Sequence, residues 1–200
     1  LVDVIVNSAA AAAGEADVIT TGTGADTITV YGDVASGALA TTDDTTTKIT
    51  DFTVGTDTLI LSATAANYSG ANAFHGGVAI AAAGATELTS VATSVAAAAV
   101  SATADMVKLT TGVATAGLTV QQAFDAAIGT STLTGLTASE DLFFSLYDTT
   151  NSQMVVGVVD AAGGTNTVVE TGDVVTLVAT LDMTAAEYGL FNNGDVEIIA

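Results

Sequence analysis

Two copies of a nine-residue phrase stand back to back at Ala13–Val30, AGEADVITTGTGADTITV. Asp17 and Asp26 are nine residues apart, and so are Ile19 and Ile28. This spacing constrains the chain more than any other feature. Gly22 and Gly24 permit backbone conformations that a Cβ would forbid, so their carbonyls can turn inward toward an ion. Asp26 adds a carboxylate. Ile28 alternates with Thr27 and Thr29, which sends one side chain into a core and leaves its neighbours outside. The first copy is the weaker, with Ala13 and Glu15 where the second has glycines. A shorter echo follows at Gly55-Thr56-Asp57-Thr58-Leu59. Ordinary Gly-Asp turns between strands are the structural alternative.

Charge narrows what such turns can do. The chain has 22 acids against only Lys48 and Lys108, a net charge of −20. Nucleic-acid binding needs Lys and Arg to displace counterions from phosphate, so it is excluded. Anionic membrane surfaces are excluded for the same reason. A solvated acidic face is the plain reading of these acids; cation ligation is the alternative, and it gains weight because many of them sit in Gly-containing turns and few on helical faces. With no cysteine there is no disulfide, thiolate metal site or thiol nucleophile. Hard cations can staple a chain of this kind instead.

The second copy resembles the calcium-binding nonapeptide G-G-x-G-x-D-x-U-x of the RTX family of secreted proteins. Lys48–Ser62, KITDFTVGTDTLILS, is similar to the phrase I-x-D-F-x-x-G-x-D-x-[IL]-x-[IL]-S that closes many of that family's arrays. It matches at Ile49, Asp51, Phe52, Gly55, Asp57, Leu59, Leu61 and Ser62. The resemblance implies a parallel β-roll in which two nonapeptides make one coil and calcium lies between turns stacked eighteen residues apart. From Asp26 that step lands on Asp44; from Asp17 it lands on Ala35, which is no ligand. The ligand set implied for Ca2+ is Asp17, Gly22, Gly24, Asp26, Asp44, Asp51, Gly55 and Asp57, with the best-formed site near Asp26. Asp51 and Asp57 bracket a Gly turn and are expected to share a cation, since unpaired they repel.

Thr and Val are abundant and Pro is missing, which favours strands. The expected fold is mainly β: a short parallel β-roll or β-helix-like calcium-binding segment over residues 1–62, then a β-rich C-terminal module over 63–200 with one or two short helices. Leu1–Asn7 reads as a strand and Tyr31–Lys48 as a loop or enlarged coil. Thr86–Ala104 mixes helix-favouring Ala with strand-favouring Thr and Val, and its first half is expected as helix or irregular structure. Asp105–Thr110 reads as a strand. Thr119–Ile128 is the clearest helix, capped by Thr119 with Gln122 three residues on and ended by Gly129. Phe143–Tyr147 and Met154–Val159 read as a hairpin, and Val168-Val169 and Val174–Leu181 as strands. Thr184–Leu190 reads as a second capped helix, followed by the turn Asn192-Asn193-Gly194 and a last strand within Asp195–Ala200.

No enzyme constellation emerges. There is one histidine, and His75-Gly76-Gly77 has no G-x-S-x-G nucleophile elbow to serve. LVDVIVNSAAAAAG lacks the basic region of a signal peptide. Leu1 is not a natural start, and the chain is expected to be the last 200 residues of a longer protein. Within the RTX family, the Cys-free, acidic, Ala/Thr/Gly/Val-rich composition resembles bacterial S-layer proteins. A terminal acid-and-apolar strand, here Glu197 then Ile198-Ile199-Ala200, is similar to the uncleaved type I secretion signal. The resemblance implies an extracellular, calcium-dependent structural protein of the cell surface that assembles with copies of itself. It also implies the type I secretion machinery and cell-surface polysaccharide as partners, and no membrane insertion. The alternative is the calcium-binding export module of a secreted protease, lipase or adhesin.

Overall fold

The computed structural model describes residues 3–6, 18–30, 47–62, 73–74, 88–91, 98–100, 104–136, 140–160 and 168–199. The fold is mainly β, as expected, with two helices among the described residues. Its first strands alternate between two sheets. β1 (Val4–Val6), β3 (Thr27–Val30) and β5 (Thr58–Ser62) run parallel in one; β2 (Val18–Ile19) and β4 (Thr47–Ile49) run parallel in the other. The inward side chains Ile19, Ile28, Val30, Ile49, Leu59 and Leu61 are buried and share one core.

The next rung comes from the far end of the chain. β14 (Val174–Asp182) pairs parallel with β4, and β15 (Val196–Ile199) pairs parallel with β5. Between them lies α2 (Ala185–Leu190). Residues on either side of position 62 therefore share both sheets and one core. β14 also begins the rest of the larger sheet. It pairs antiparallel with β12 (Gln153–Asp160), which forms a hairpin with β11 (Glu140–Asp148). Parallel neighbours follow: β9 (Met106–Val113) on β11, β7 (Leu88–Val91) on β9, and β6 (Ala73–Phe74) on the start of β11. A small third sheet joins β8 (Ala98–Ala99), β10 (Leu133–Thr134) and β13 (Val168–Val169).

β11 and β12 are buried on both faces, so they read as apolar runs rather than alternating ones. The period of two still sorts their side chains. Phe143, Tyr147, Met154, Val156 and Val158 face the core shared with the parallel strands. Leu142, Phe144, Leu146, Val155 and Val159 face a second core under α1 (Val120–Ile128). Phe124 of α1 meets Phe144 with ring centroids 4.7 Å apart. Gly157 is required there, because a Cβ would lie 2.5 Å from Phe144 Cζ.

Both expected helices form, each with a reciprocal capping box: Thr119 with Gln122, and Thr184 with Glu187. The hairpin forms too, its turn organised by buried Asp148, which accepts N–H groups from Thr150, Asn151 and Gln153. The helix or irregular structure expected over the first half of Thr86–Ala104 is corrected: Leu88–Val91 is a strand, because pairing with β9 overrides the helix propensity of the alanines around it. His75 and the Gly-rich stretch at 161–166 lie outside the described residues. No helix among the described residues is long and apolar enough to cross a membrane.

Candidate functional site

The turns that carry the predicted ligands lie along one edge of the parallel rungs. The first runs from the end of β2 to Asp26, the second from the end of β4 to Asp57, and the third from α2 to Asp195. Asp3, Asp26, Asp57 and Asp195 each stand directly before a strand of the same sheet. The turns stack through their side chains and their backbones. Thr20 and Thr50 bring their hydroxyls within 3.0 Å, and the Thr50 N–H donates to the Ile19 carbonyl.

Carboxylates hold the stack together. Asp26 accepts the Asp3 N–H on Oδ1 at 2.8 Å. Asp57 accepts the Asp26 N–H on Oδ1 at 3.0 Å and the Thr53 N–H on Oδ2 at 2.8 Å. Asp195 takes the Gly55 N–H on Oδ1 and the Asn192 N–H on Oδ2. On the second turn, Asp51 reaches across to the first. Its Oδ1 accepts from the N–H and hydroxyl of Thr21, at 2.7 and 3.0 Å, and its Oδ2 accepts the Gly22 N–H at 2.7 Å. Burial pushes the Asp51 carboxyl upward, but the backbone N–H groups of Thr21 and Gly22 outweigh it, so its pKa lies below the ordinary carboxylate value. Gly22 and Gly55 adopt positive φ, 82° and 78°, which aims these N–H groups at their acceptors. Gly24 is likewise at positive φ, on the exposed face of the first turn.

Two sequence expectations are refined here. The stacking step is not eighteen residues: Asp3 to Asp26 spans 23 and Asp26 to Asp57 spans 31, because the segments joining successive rungs are longer than a nonapeptide pair. Asp51 and Asp57, expected to share a cation across their turn, each spend both oxygens on N–H donors. Asp17 and Asp44 lie outside the described residues. Among the described residues, no three His, Cys, Asp or Glu side chains gather as a metal site would require. Asp26 is the exception to this satisfaction. Its side chain is 1% exposed, and its Oδ2 has no hydrogen-bond partner among the described residues. A buried carboxylate oxygen without a donor is costly unless something positive meets it.

Sequence reasoning missed Asp3 and Asp195 as members of the stack. Asp195 follows Gly194 directly, without the intervening residue of Gly24-x-Asp26 and Gly55-x-Asp57, and the segment reads alone as a hairpin turn. Comparison of the chain with protein-family models, with curated proteins and with solved structures finds no match.

Proposed function

We infer that this chain belongs to a calcium-dependent surface-layer protein of the RTX kind, and that the parallel strands β1–β5, β14 and β15 form a short β-roll. The observation that carries the reading is the orphaned Asp26 Oδ2, buried within a stack of Gly-x-Asp turns. Calcium takes six to eight oxygen ligands and tolerates irregular geometry. Asp26 offers it a carboxylate oxygen that no N–H occupies. Asp57, whose Oδ1 accepts the Asp26 N–H, would join by exchanging an N–H donor for the ion. The −20 charge supports a switch. At low calcium, carboxylate repulsion favours the extended chain that an export channel passes; outside the cell, the ion neutralises it and drives folding. Contacts between copies then build the surface layer.

Melting followed by circular dichroism, with calcium and with chelator, tests the reading. At calcium about a hundredfold above the dissociation constant, one site adds about 2.7 kcal/mol. Asp26→Ala should lose that increment, and magnesium should not supply it. An identical fold and melting temperature with and without calcium would sink the proposal. Electron microscopy of the calcium-treated protein tests assembly, a sheet being the expected result and dispersed particles the contrary one.

A further inference from the structure

Away from the turns, a cleft of about 310 Å³ opens between α2 and the bulged end of the β9–β11 pair. The bulge makes room for it. Leu146 pairs with Leu109, but Asp148 pairs with Val113, so β9 carries extra residues across this point. Gly112 lets the bulge close on the hairpin turn, since a Cβ would lie 2.8 Å from Thr149 Cγ2. Lys108, Tyr147 and Tyr188 form the floor, and Thr110, Thr149 and Ala185 stand on the rim.

The floor presents a buried ammonium and a phenol hydroxyl. Lys108 is 4% exposed. Its Nζ donates to the carbonyls of Gly189 at 3.1 Å and Phe191 at 2.8 Å, and it lies 4.9 Å from the centroid of the Tyr188 ring. An ammonium has three N–H groups, and among the described residues no acceptor takes the third and no carboxylate stands within 4.0 Å. Burial holds the Lys108 pKa below the ordinary lysine value, with the charge of Asp195 acting the other way. Tyr147 is 7% exposed and stacks on Tyr188 at 5.6 Å, yet its hydroxyl has no partner among the described residues. Buried charges are ordinarily paired in contact, and the groups touching the Lys108 ammonium are carbonyl dipoles and a ring, with the Asp195 charge farther off.

We propose that this cleft binds a small monocarboxylate with a planar apolar body. The two carboxylate oxygens accept from Lys108 Nζ and Tyr147 Oη, a charge-assisted pair. The tyrosine rings and the Ala185 methyl pack the body. The volume sits at the small end of ligand pockets, which limits the body to about one ring. A single negative charge fits better than several, because the chain's −20 repels polyanions more strongly.

The test is a titration of the whole chain with benzoate, followed by amide NMR shifts and by tyrosine fluorescence, which is readable because the chain has no Trp. Expected are saturable shifts confined to residues 108–112, 147–149 and 185–189, with a dissociation constant of order 1 mM. Benzyl alcohol should bind about tenfold more weakly, lacking the charge. Tyr147→Phe should weaken benzoate about threefold or more while melting stays unchanged. Ala185→Phe, on the exposed rim, should block binding without disturbing the core. Equal binding of benzoate and benzyl alcohol would overturn the proposal, as would inorganic phosphate binding as well as benzoate. So would the absence of saturable shifts at about 50 mM.

Discussion

Asp57→Ala should be among the most damaging single changes in the parallel rungs, and its cost can be built from the structure. The Asp57 side chain is 2% exposed and accepts two backbone N–H groups, from Asp26 at 3.0 Å and Thr53 at 2.8 Å. Thr53 is exposed and can turn its N–H to water, whereas Asp26 is buried and cannot. The variant therefore loses two hydrogen bonds to a carboxylate and leaves one buried donor unpaired, together about 2–4 kcal/mol. That is a large share of the roughly 5–15 kcal/mol that holds a domain folded. Asp57→Asn keeps one acceptor but turns an amide N–H₂ toward the other donor, so it should fall between. Asp182→Ala is the control: its ion pair with Lys48, at 3.1 Å, is exposed on both sides and should cost under about 1 kcal/mol. Urea unfolding in chelator reads the differences as midpoints at constant slope. Hydrogen exchange at the Asp26 amide should lose protection in Asp57→Ala alone. If Asp57→Ala comes within about 0.5 kcal/mol of the parent, or matches Asp182→Ala, the carboxylates do not hold the stack.

Three further perturbations probe the glycines and Tyr188. Gly22→Ala and Gly55→Ala should each lose about 1–2 kcal/mol in thermal or urea unfolding, because both glycines hold positive φ while a Cβ would meet nothing within 4 Å, so the cost is backbone strain alone. Gly157→Ala should cost about 1–3 kcal/mol by driving a methyl into the Phe144 ring, and Gly157→Ala with Phe144→Leu should recover part of the loss. Tyr188 should contribute to alkaline unfolding. Burial pushes its phenol far above the ordinary tyrosine value, the Ser145 hydroxyl acting the other way, and its single O–H is shared between the carbonyls of Leu109 and Ser145. A raised acid stabilises the fold fully below its unfolded pKa of about 10 and loses that contribution as pH climbs beyond it. Tyr188→Phe should lower stability at neutral pH by about 1–3 kcal/mol and remove the extra alkaline slope; superimposable pH profiles would count against the assignment.

Locally written elements were legible in the sequence. α1 and α2 announce themselves through Thr119–Gln122 and Thr184–Glu187, whose capping boxes close as the spacing requires. The hairpin follows from two apolar runs around a polar turn. What the sequence hides is which rung stacks on which. Parallel partners leave no local trace, since the connection between them sets neither register nor distance. Asp26 and Asp57 could be found from Gly-x-Asp followed by an alternating strand. That the closing phrase at Asp51–Asp57 is the better partner of the nonapeptides could be read as well, but the 31-residue step between Asp26 and Asp57 could not, because the nonapeptides themselves suggested eighteen. Leu88–Val91 shows the opposite failure: its neighbourhood prefers helix by composition, and only the exposed edge of β9 makes it a strand.

The placement of β14 and β15 bears on how the rungs can form. β5 ends at Ser62, yet its outer neighbour begins at Val196, and Gly55 meets the carboxylate of Asp195 across 140 residues. The first two aspartate turns can collect locally, but the parallel strands of neither sheet gain their next rung until the C-terminal strands arrive. Lys108 ties that arrival to the larger sheet, because its ammonium holds the carbonyls at the end of α2, just before the turn bearing Asp195. Contacts this distant are formed late and together. The aspartate stack is thus assembled from parts of the chain that must fold as one unit. A perturbation at Asp57, at Lys108 or at Tyr188 should therefore shift the same cooperative transition, and three separate melting steps would show that the rungs and the hairpin sheet fold independently.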